Sequence, residues 1–154
     1  MKKLTLMLLV LSLMLSAAAC GAKTEEPVSV DLSAMYDSFG PYLPEMYFMD
    51  EVTLLNFLGV DVADCAQYKI ALCAEGMEAD EIWLIEAKDD AALEELKQRA
   101  QTRIEAKLGE AAYYVPDQYA IIQKAELVVI GRYIALLVSP DVDTLKATFE
   151  AAFQ

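Results

Sequence analysis

Histidine is absent from all 154 residues of the chain. Serine-histidine-aspartate triads, cysteine-histidine pairs and many zinc sites use imidazole as a base or a ligand near neutral pH. The chain also lacks a P-loop, a G-x-G-x-x-G turn and a C-x-x-C pair. These absences predict that the protein is not an enzyme and that it uses no cofactor or metal. One enzyme class stays open, because 25 Asp and Glu residues are enough to supply the paired carboxylates of a hydrolase.

Basic residues are scarce, with 12 Lys and Arg against 25 Asp and Glu. Loss of an amino-terminal signal carrying Lys2 and Lys3 leaves ten basic residues, and ten against 25 is a net charge of −15. Nucleic-acid binding needs a basic face that neutralises phosphates, so the sequence excludes this class of partner. Negative charge also repels anionic lipid headgroups, so residence at a membrane has to come from an anchor.

The amino terminus has the pattern of a secretory signal. Lys2 and Lys3 precede an apolar run from Leu4 to Leu15, and small residues follow up to Cys20. A spanning helix needs roughly 20 apolar residues, so this run is too short to be retained in a membrane. The sequence therefore predicts a signal peptide over residues 1–19.

The run SAAACG around Cys20 resembles a lipobox, in which a cysteine preceded by small residues receives a diacylglycerol before cleavage. Ala17 stands where a leucine is usual, and Ala17 with Ala19 also makes an acceptable A-x-A site for ordinary secretion. The favoured interpretation is lipidation of Cys20 and anchoring at the outer face of the cytoplasmic membrane. Two or more acyl chains hold a protein there stably, whereas one chain binds reversibly.

Two further cysteines, Cys65 and Cys73, follow in the chain. An exported protein is able to pair them, and their spacing neither demands nor forbids a disulfide. Cys73 lies in the apolar run YKIALCA, which favours a small buried core residue.

The segment after the anchor is polar and includes Lys23, Glu25, Glu26 and Pro27. It cannot bury enough apolar surface to offset its chain entropy. We therefore expect residues 20–30 to be a tether and residues 31–154 to form a single domain, which is the size that one core supports.

Helices are predicted by apolar spacing of three and four residues and by their boundary residues. One helix begins near Asp31, and a second lies between Asp50 and Gly59. A long helix begins at Asp89 or Asp90, and Gly109 is placed to end it. Two more helices are expected, one at 116–125 and one after the Ser139, Pro140 and Asp141 start.

Strands are expected in two hairpins. Residues 68–74 and 82–85 flank a turn at 75–78, and residues 126–139 contain two apolar runs around Gly131 and Arg132. Strands that arrive in hairpins favour an α+β fold. The predicted fold is a four-stranded antiparallel sheet from two hairpins, with a long helix between them and further helices packed on it.

Several stretches resemble a known family of uncharacterised bacterial lipoproteins, domain of unknown function 4358. They are LPEMYFMDEVTLLNFLGVD, EIWLIEAKD, the long helix containing Arg103, and YYVPDQYAIIQKAELVVIGRYIALLVS. The most specific parts are the Tyr114, Pro116 and Gln118 run and the Gly59 and Asp61 corner. The resemblance spans nearly all of the mature chain. It implies a Gram-positive cell-envelope lipoprotein and carries over no activity or catalytic residue.

Two groups of residues are candidates for binding. Tyr113, Tyr114 and Tyr119 lie beside a proline, and tyrosines present flat faces on which a glycan or a peptide stacks, although core packing is the simpler interpretation. Nine acids lie between Glu75 and Glu95 and would attract a cationic partner or calcium. They lack the alternating spacing of a calcium loop, which favours solvated hairpin and helix ends.

The sequence leaves three hypotheses for function. The first is a lipid-anchored extracytoplasmic module that binds a protein, a peptide, a glycan or another envelope component. The alternatives are a carboxylate-based hydrolase acting on the cell envelope and a purely structural envelope protein. A binding module exposes a contiguous apolar or aromatic patch, whereas a hydrolase needs two acids facing each other in a cleft.

The lipidation of Cys20 predicts that a radiolabelled or clickable fatty-acid precursor is incorporated into the protein in producing cells. Cys20→Ser is expected to abolish the label and release the protein into the medium, because no other part of this acidic chain attracts a bilayer. Wild-type protein without label, or label that persists in Cys20→Ser, would show that the anchor hypothesis is wrong.

Overall fold

A computed structural model describes residues 28–154. The predicted signal peptide, Cys20 and most of the predicted tether lie outside the described residues. The described residues form one five-stranded antiparallel sheet in the order β1-β2-β3-β5-β4. The strands are β1 (Met46–Phe48), β2 (Cys65–Cys73), β3 (Glu81–Ala87), β4 (Glu126–Ile130) and β5 (Tyr133–Val138).

Five helices accompany the sheet. They are α1 (Leu32–Phe39), α2 (Glu51–Thr53), α3 (Asp90–Tyr114), α4 (Pro116–Ile122) and α5 (Val142–Ala151). A π-helical turn over Leu54–Leu58 extends α2. The side chains of Asp31, Asp50 and Asp89 accept hydrogen bonds from backbone N–H groups in the first turns of α1, α2 and α3, which satisfies donors that have no partner within the helix.

The sheet has a hydrophobic core on each face, because successive side chains of a strand point to opposite sides. Trp83 and Ile85 of β3 pack in one core with residues of α3, and Ile82 and Leu84 pack in the other core with residues of α1 and α5. All four of these side chains are fully buried. The prediction that residues 82–85 form a strand is therefore confirmed, and the structure shows that this strand is buried on both faces.

The predicted fold is confirmed as α+β with two hairpins and a long helix between them, but the prediction of four strands is wrong. The fifth strand, β1, pairs with β2 at the edge of the sheet. It has three residues, and Tyr47 and Phe48 are both exposed. A segment this short shows no alternation of apolar and polar residues, so the sequence pattern could not reveal it.

Gly109 does not end the long helix, which continues to Tyr114. Ala111, two residues after the glycine, is buried against the core. The packing of this last part of α3 outweighs the roughly 1 kcal/mol that a glycine costs within a helix. Gly59 does end the α2 segment as predicted, in the left-handed conformation with φ of 70°.

The two described cysteines are both free, and they lie at opposite ends of β2. Eight residues of extended strand span roughly 27 Å, and a disulfide requires Cα atoms less than about 7 Å apart. An internal bridge between Cys65 and Cys73 is therefore impossible in this fold. Cys73 is buried, as its apolar surroundings predict.

Hydrogen bonds fix the first described residues to one end of the sheet. The backbone N–H of Val30 donates to Tyr133 Oη at 3.2 Å. The Gln67 side chain accepts from the Leu32 N–H and donates to the Val30 carbonyl and to Glu86. Tyr133 pairs with Glu86, whereas Val138 pairs with Glu81. The chain therefore joins the sheet at the end opposite to Glu81.

Substitution of alanine for two glycines is expected to change the free energy of unfolding in opposite directions. Gly59→Ala is expected to lower the free energy of unfolding by about 1 kcal/mol, because the left-handed backbone is strained for any residue with a Cβ and the new Cβ lies 3.3 Å from Arg99 Cδ. Gly109→Ala is expected to raise it by about 1 kcal/mol, since a Cβ there contacts nothing. Urea denaturation of both variants measures the difference. Equal effects of the two substitutions would contradict these backbone assignments.

Candidate functional site

A buried ion-pair cluster joins the sheet to α3. Glu81 is the first residue of β3 and its side chain is fully buried. Arg103 and Lys107 lie four residues apart on α3, so their side chains project from the same face of the helix. Trp83 lies two residues after Glu81 and so points to the same side of the sheet. The four residues Glu81, Trp83, Arg103 and Lys107 are called the Glu81 cluster below.

Both carboxylate oxygens of Glu81 are hydrogen-bonded. Oε1 accepts from Trp83 Nε1 at 2.8 Å and from Arg103 Nε at 3.0 Å. Oε2 accepts from Arg103 Nη2 and from Lys107 Nζ, each at 2.9 Å. Burial by itself raises the pKa of Glu81, but the hydrogen bonds and positive charges of Arg103 and Lys107 outweigh it and lower the pKa below its ordinary value. Glu81 is therefore ionised near neutral pH and is unsuited to act as a general acid.

The guanidinium of Arg103 also lies over the ring of Phe57, with 5.0 Å between Arg103 Cζ and the ring centroid. This distance is within the range of a cation–π interaction. Phe57 belongs to the π-helical turn after α2 and is exposed. The Glu81 cluster thus holds a solvent-facing aromatic ring in place above it.

A groove of about 270 Å³ opens beside the Glu81 cluster. It lies between β1, the β2–β3 turn, α3 and α4. Its lining combines aromatic and apolar side chains with six charged residues. The exposed apolar side chains of the lining are Tyr47, Phe57 and Met77, and its charged residues are Glu75, Glu78, Asp80, Arg103, Lys107 and Glu110.

Gln118 fixes the β2–β3 turn against α4 on the far side of the groove. Its Oε1 accepts from the Ala79 N–H at 3.0 Å, and its Nε2 donates to Glu78 Oε2 at 2.9 Å. Residues 75–78, predicted as a solvated turn, therefore form one wall of the groove. Gln118 of α4 holds this wall by two hydrogen bonds, which makes the groove a preformed feature.

Asp80 lines the groove and is only 5% exposed. Its Oδ1 is buried and has no hydrogen-bond partner among residues 28–154. Burial raises the pKa of this carboxyl and outweighs the opposing effects of a side-chain hydrogen bond with Ser139 and of the positive charge of Lys107. A buried acceptor without a donor costs roughly 1–3 kcal/mol, and such groups cluster at sites of function.

The three tyrosines proposed from the sequence are not brought together at the groove. Tyr113 and Tyr114 end α3 and are 85% and 81% exposed. Tyr119 is half-buried and packs against the core on the α3 face of the sheet. None of the three lines the groove, although their neighbours Ala111, Val115 and Gln118 do. Their role in binding stays a prediction.

The acidic stretch from Glu75 to Glu95 separates into distinct places. Glu75, Glu78 and Asp80 line the groove, and Glu81 lies in the cluster beneath it. Asp89 caps α3, and the remaining acids lie on β3 or α3 away from the groove. Among residues 28–154, no three acidic or cysteine side chains converge as metal ligands do. Within the same residues, no helix has both the length and the apolar character needed to cross a membrane.

The thiol of Cys65 is not a reactive nucleophile. Burial, together with the negative charges of Asp64 and Asp61, raises the pKa of Cys65 to about 11. A thiol with so high a pKa carries almost no thiolate near neutral pH and is a poor nucleophile. Cys65 also lies at the end of the sheet opposite to Glu81, because it pairs with Ala87.

Comparison with known protein families identifies one to which the chain is similar. The family described as a domain of unknown function (DUF4358) matches residues 42–139. This range includes the whole sheet, α3, α4 and every residue that lines the groove. No curated protein and no solved structure matches the chain.

Glu81→Gln is expected to lower the free energy of unfolding by about 3 kcal/mol, because Arg103 and Lys107 are then buried without a counter-ion. The pKa of Glu81 is lower in the folded than in the unfolded chain, so its contribution is complete above the ordinary value of 4.5 and is lost as the pH falls through the lowered folded value. The difference between wild type and variant should therefore shrink in acid. Urea denaturation at pH 7 and at pH 3.5 measures both effects.

Glu94→Gln is the matched control, because Glu94 pairs with Lys97 on the exposed surface of the same helix. This substitution is expected to change stability little at either pH. If Glu81→Gln behaved like Glu94→Gln, Glu81 would not be the counter-ion that Arg103 and Lys107 require.

Proposed function

The chain belongs to the DUF4358 family, which has no assigned activity, and we propose from the groove itself that the protein is a non-enzymatic binding module held outside the cytoplasmic membrane by lipid on Cys20. In this proposal the groove beside the Glu81 cluster is the binding site. Its occupant is part of a protein, a peptide or another envelope component. The tether of residues 20–30 gives the domain reach from the membrane surface.

The observation that carries this proposal is the exposure of large apolar side chains around one preformed groove. Tyr47 is 44% exposed and Phe57 is 57% exposed, and Met77 is exposed beside them. These side chains come from three separate segments and converge on the same groove. A contiguous exposed apolar patch with a polar rim is typical of interaction sites.

The rigidity of the groove supports the same proposal. Binding costs less when the site is already ordered, and the Glu81 cluster fixes Phe57 while Gln118 fixes the opposite wall. Arg103 and Lys107 are mostly buried, with side chains 13% and 11% exposed. Buried ion pairs of this kind cost desolvation energy and are a weak source of net stability. Positioning of a binding surface is a role that justifies this cost.

The direction in which the groove faces supports anchoring at Cys20. The chain joins the sheet near Tyr133 and Glu86, and the groove lies beside Glu81 at the other end of β3. Five residues of strand separate these ends by roughly 17 Å. A domain held through its amino terminus would therefore present the groove away from the membrane, where a partner has free access.

A carboxylate hydrolase is less well supported. Such an enzyme needs one carboxyl held protonated as an acid and another facing it as base or nucleophile. Glu81 is saturated by two cations, and the buried Oδ1 of Asp80 leaves it poorly accessible to a substrate. A purely structural envelope protein gives no account of the exposed aromatic groove.

Site-specific photocrosslinking in producing cells tests the proposal. With p-benzoylphenylalanine in place of Tyr47, we expect a discrete crosslinked adduct, because this side chain lies at the rim of the groove. The adduct should be lost when Phe57→Ala is added, since that change removes the opposing apolar wall without opening the core.

The matched control places the same crosslinker at Tyr113, which is exposed but lies outside the groove. An adduct from position 113 alone would show that the binding site lies at the end of α3, as the tyrosine hypothesis predicts. Absence of a discrete adduct from both positions would contradict the binding proposal and favour a structural role.

A further inference from the structure

We infer that the groove binds a positively charged side chain, such as lysine or arginine, flanked by apolar residues in a peptide segment of the partner protein. This inference rests on the proposed binding function and names the class of ligand. It draws on the charge balance of the groove, on its size and on the edge strand beside it.

The lining of the groove is acidic in spite of its two cations. Arg103 and Lys107 are both committed to Glu81 beneath them. Four further carboxylates line the groove, so with Glu81 five carboxylates stand against two cations and the region carries a net charge of −3. Glu75 and Glu110 form no ion pair among residues 28–154. The groove is thus complementary to a cation, and an anion would meet net repulsion.

The carboxylates of Glu75 and Glu110 are exposed at the groove, so an incoming cation is able to reach them, whereas Oδ1 of Asp80 is buried. An ammonium or guanidinium group supplies several donors at once. Hydrogen bonds between such a cation and a carboxylate are about twice as strong as neutral ones.

Tyr47 and Phe57 then define what surrounds the cation. Both rings are partly exposed, and Phe57 already has Arg103 on one face. The side-chain stem of a lysine or arginine is apolar and packs against such rings while its charged end reaches the acids. Apolar neighbours in the ligand would cover the rest of the rings and Met77.

The size and position of the groove favour a peptide. A volume of about 270 Å³ is slightly below the 300–1,000 Å³ that is typical of small-molecule sites, so it accepts side chains rather than an entire large ligand. β1, which contributes Tyr47, is an edge strand of the sheet. An extended peptide beside an edge strand places alternate side chains on the same face, which brings one of them into the groove.

The test uses the chain from residue 20 with Cys20→Ser and three blocked tripeptides, Leu-Lys-Leu, Leu-norleucine-Leu and Leu-Glu-Leu, titrated by NMR at low salt. Exposed ion pairs contribute up to about 1 kcal/mol, so Leu-Lys-Leu is expected to bind about fivefold more tightly than the norleucine peptide. The shifts should map to groove residues. The preference should disappear in Glu75→Gln with Glu110→Gln.

Glu94→Gln with Glu105→Gln is the matched control, because it removes the same charge from exposed positions of α3 outside the groove. The preference for lysine should persist there. The inference would be overturned if the lysine and norleucine peptides bound equally, if the two double variants had equal effects, or if no peptide bound. If Leu-Glu-Leu bound to the groove more tightly than Leu-Lys-Leu, the ligand would not be a cation, but the proposed binding function would still stand. Absence of a photocrosslinked adduct from both position 47 and position 113 would instead contradict the binding function itself.

Discussion

The ionised carboxylate of Glu81 is the constraint on which the described structure most depends. It is buried at the start of β3 and accepts hydrogen bonds from Trp83, Arg103 and Lys107. Removal of a charge from water is costly, and only this complete set of partners makes the burial tolerable. The position of α3 on the sheet is therefore fixed by charge as well as by apolar packing. A shift of α3 along the strand direction would break several of these hydrogen bonds at once.

The same cluster connects the core to the surface. Arg103 is shared between Glu81 below and the Phe57 ring above, so the aromatic wall of the groove is attached to the middle of the sheet. On the other side, Gln118 attaches the β2–β3 turn to α4. The groove is preformed because each wall has its own hydrogen-bonded support. Among its acids, Glu75 and Glu110 are exposed and form no ion pair among residues 28–154, so they are available to a ligand.

The sequence predicts the elements of this protein much better than it predicts the groove. Asp89 as a helix cap, the apolar spacing of α3 and the Gly131 turn are local signals, and each of these predictions is confirmed. β1 was missed because three exposed residues give no periodic pattern. Glu81 was placed among solvated acids because its partners lie 22 and 26 residues away in sequence. One signal in the sequence is helical spacing, since Arg103 lies three residues after the apolar Ala100 and Lys107 lies three residues after the apolar Ile104.

Amide hydrogen exchange of Glu81→Gln under native conditions tests the central claim most directly. If the cluster organises the groove, exchange should accelerate in the Phe57 segment, in the β2–β3 turn and around Arg103 on α3. The opposite face of the sheet, where Phe39 and Phe149 are buried, should keep its protection. Uniform acceleration over both faces, or no acceleration around the groove, would contradict the claim that one buried carboxylate positions this surface.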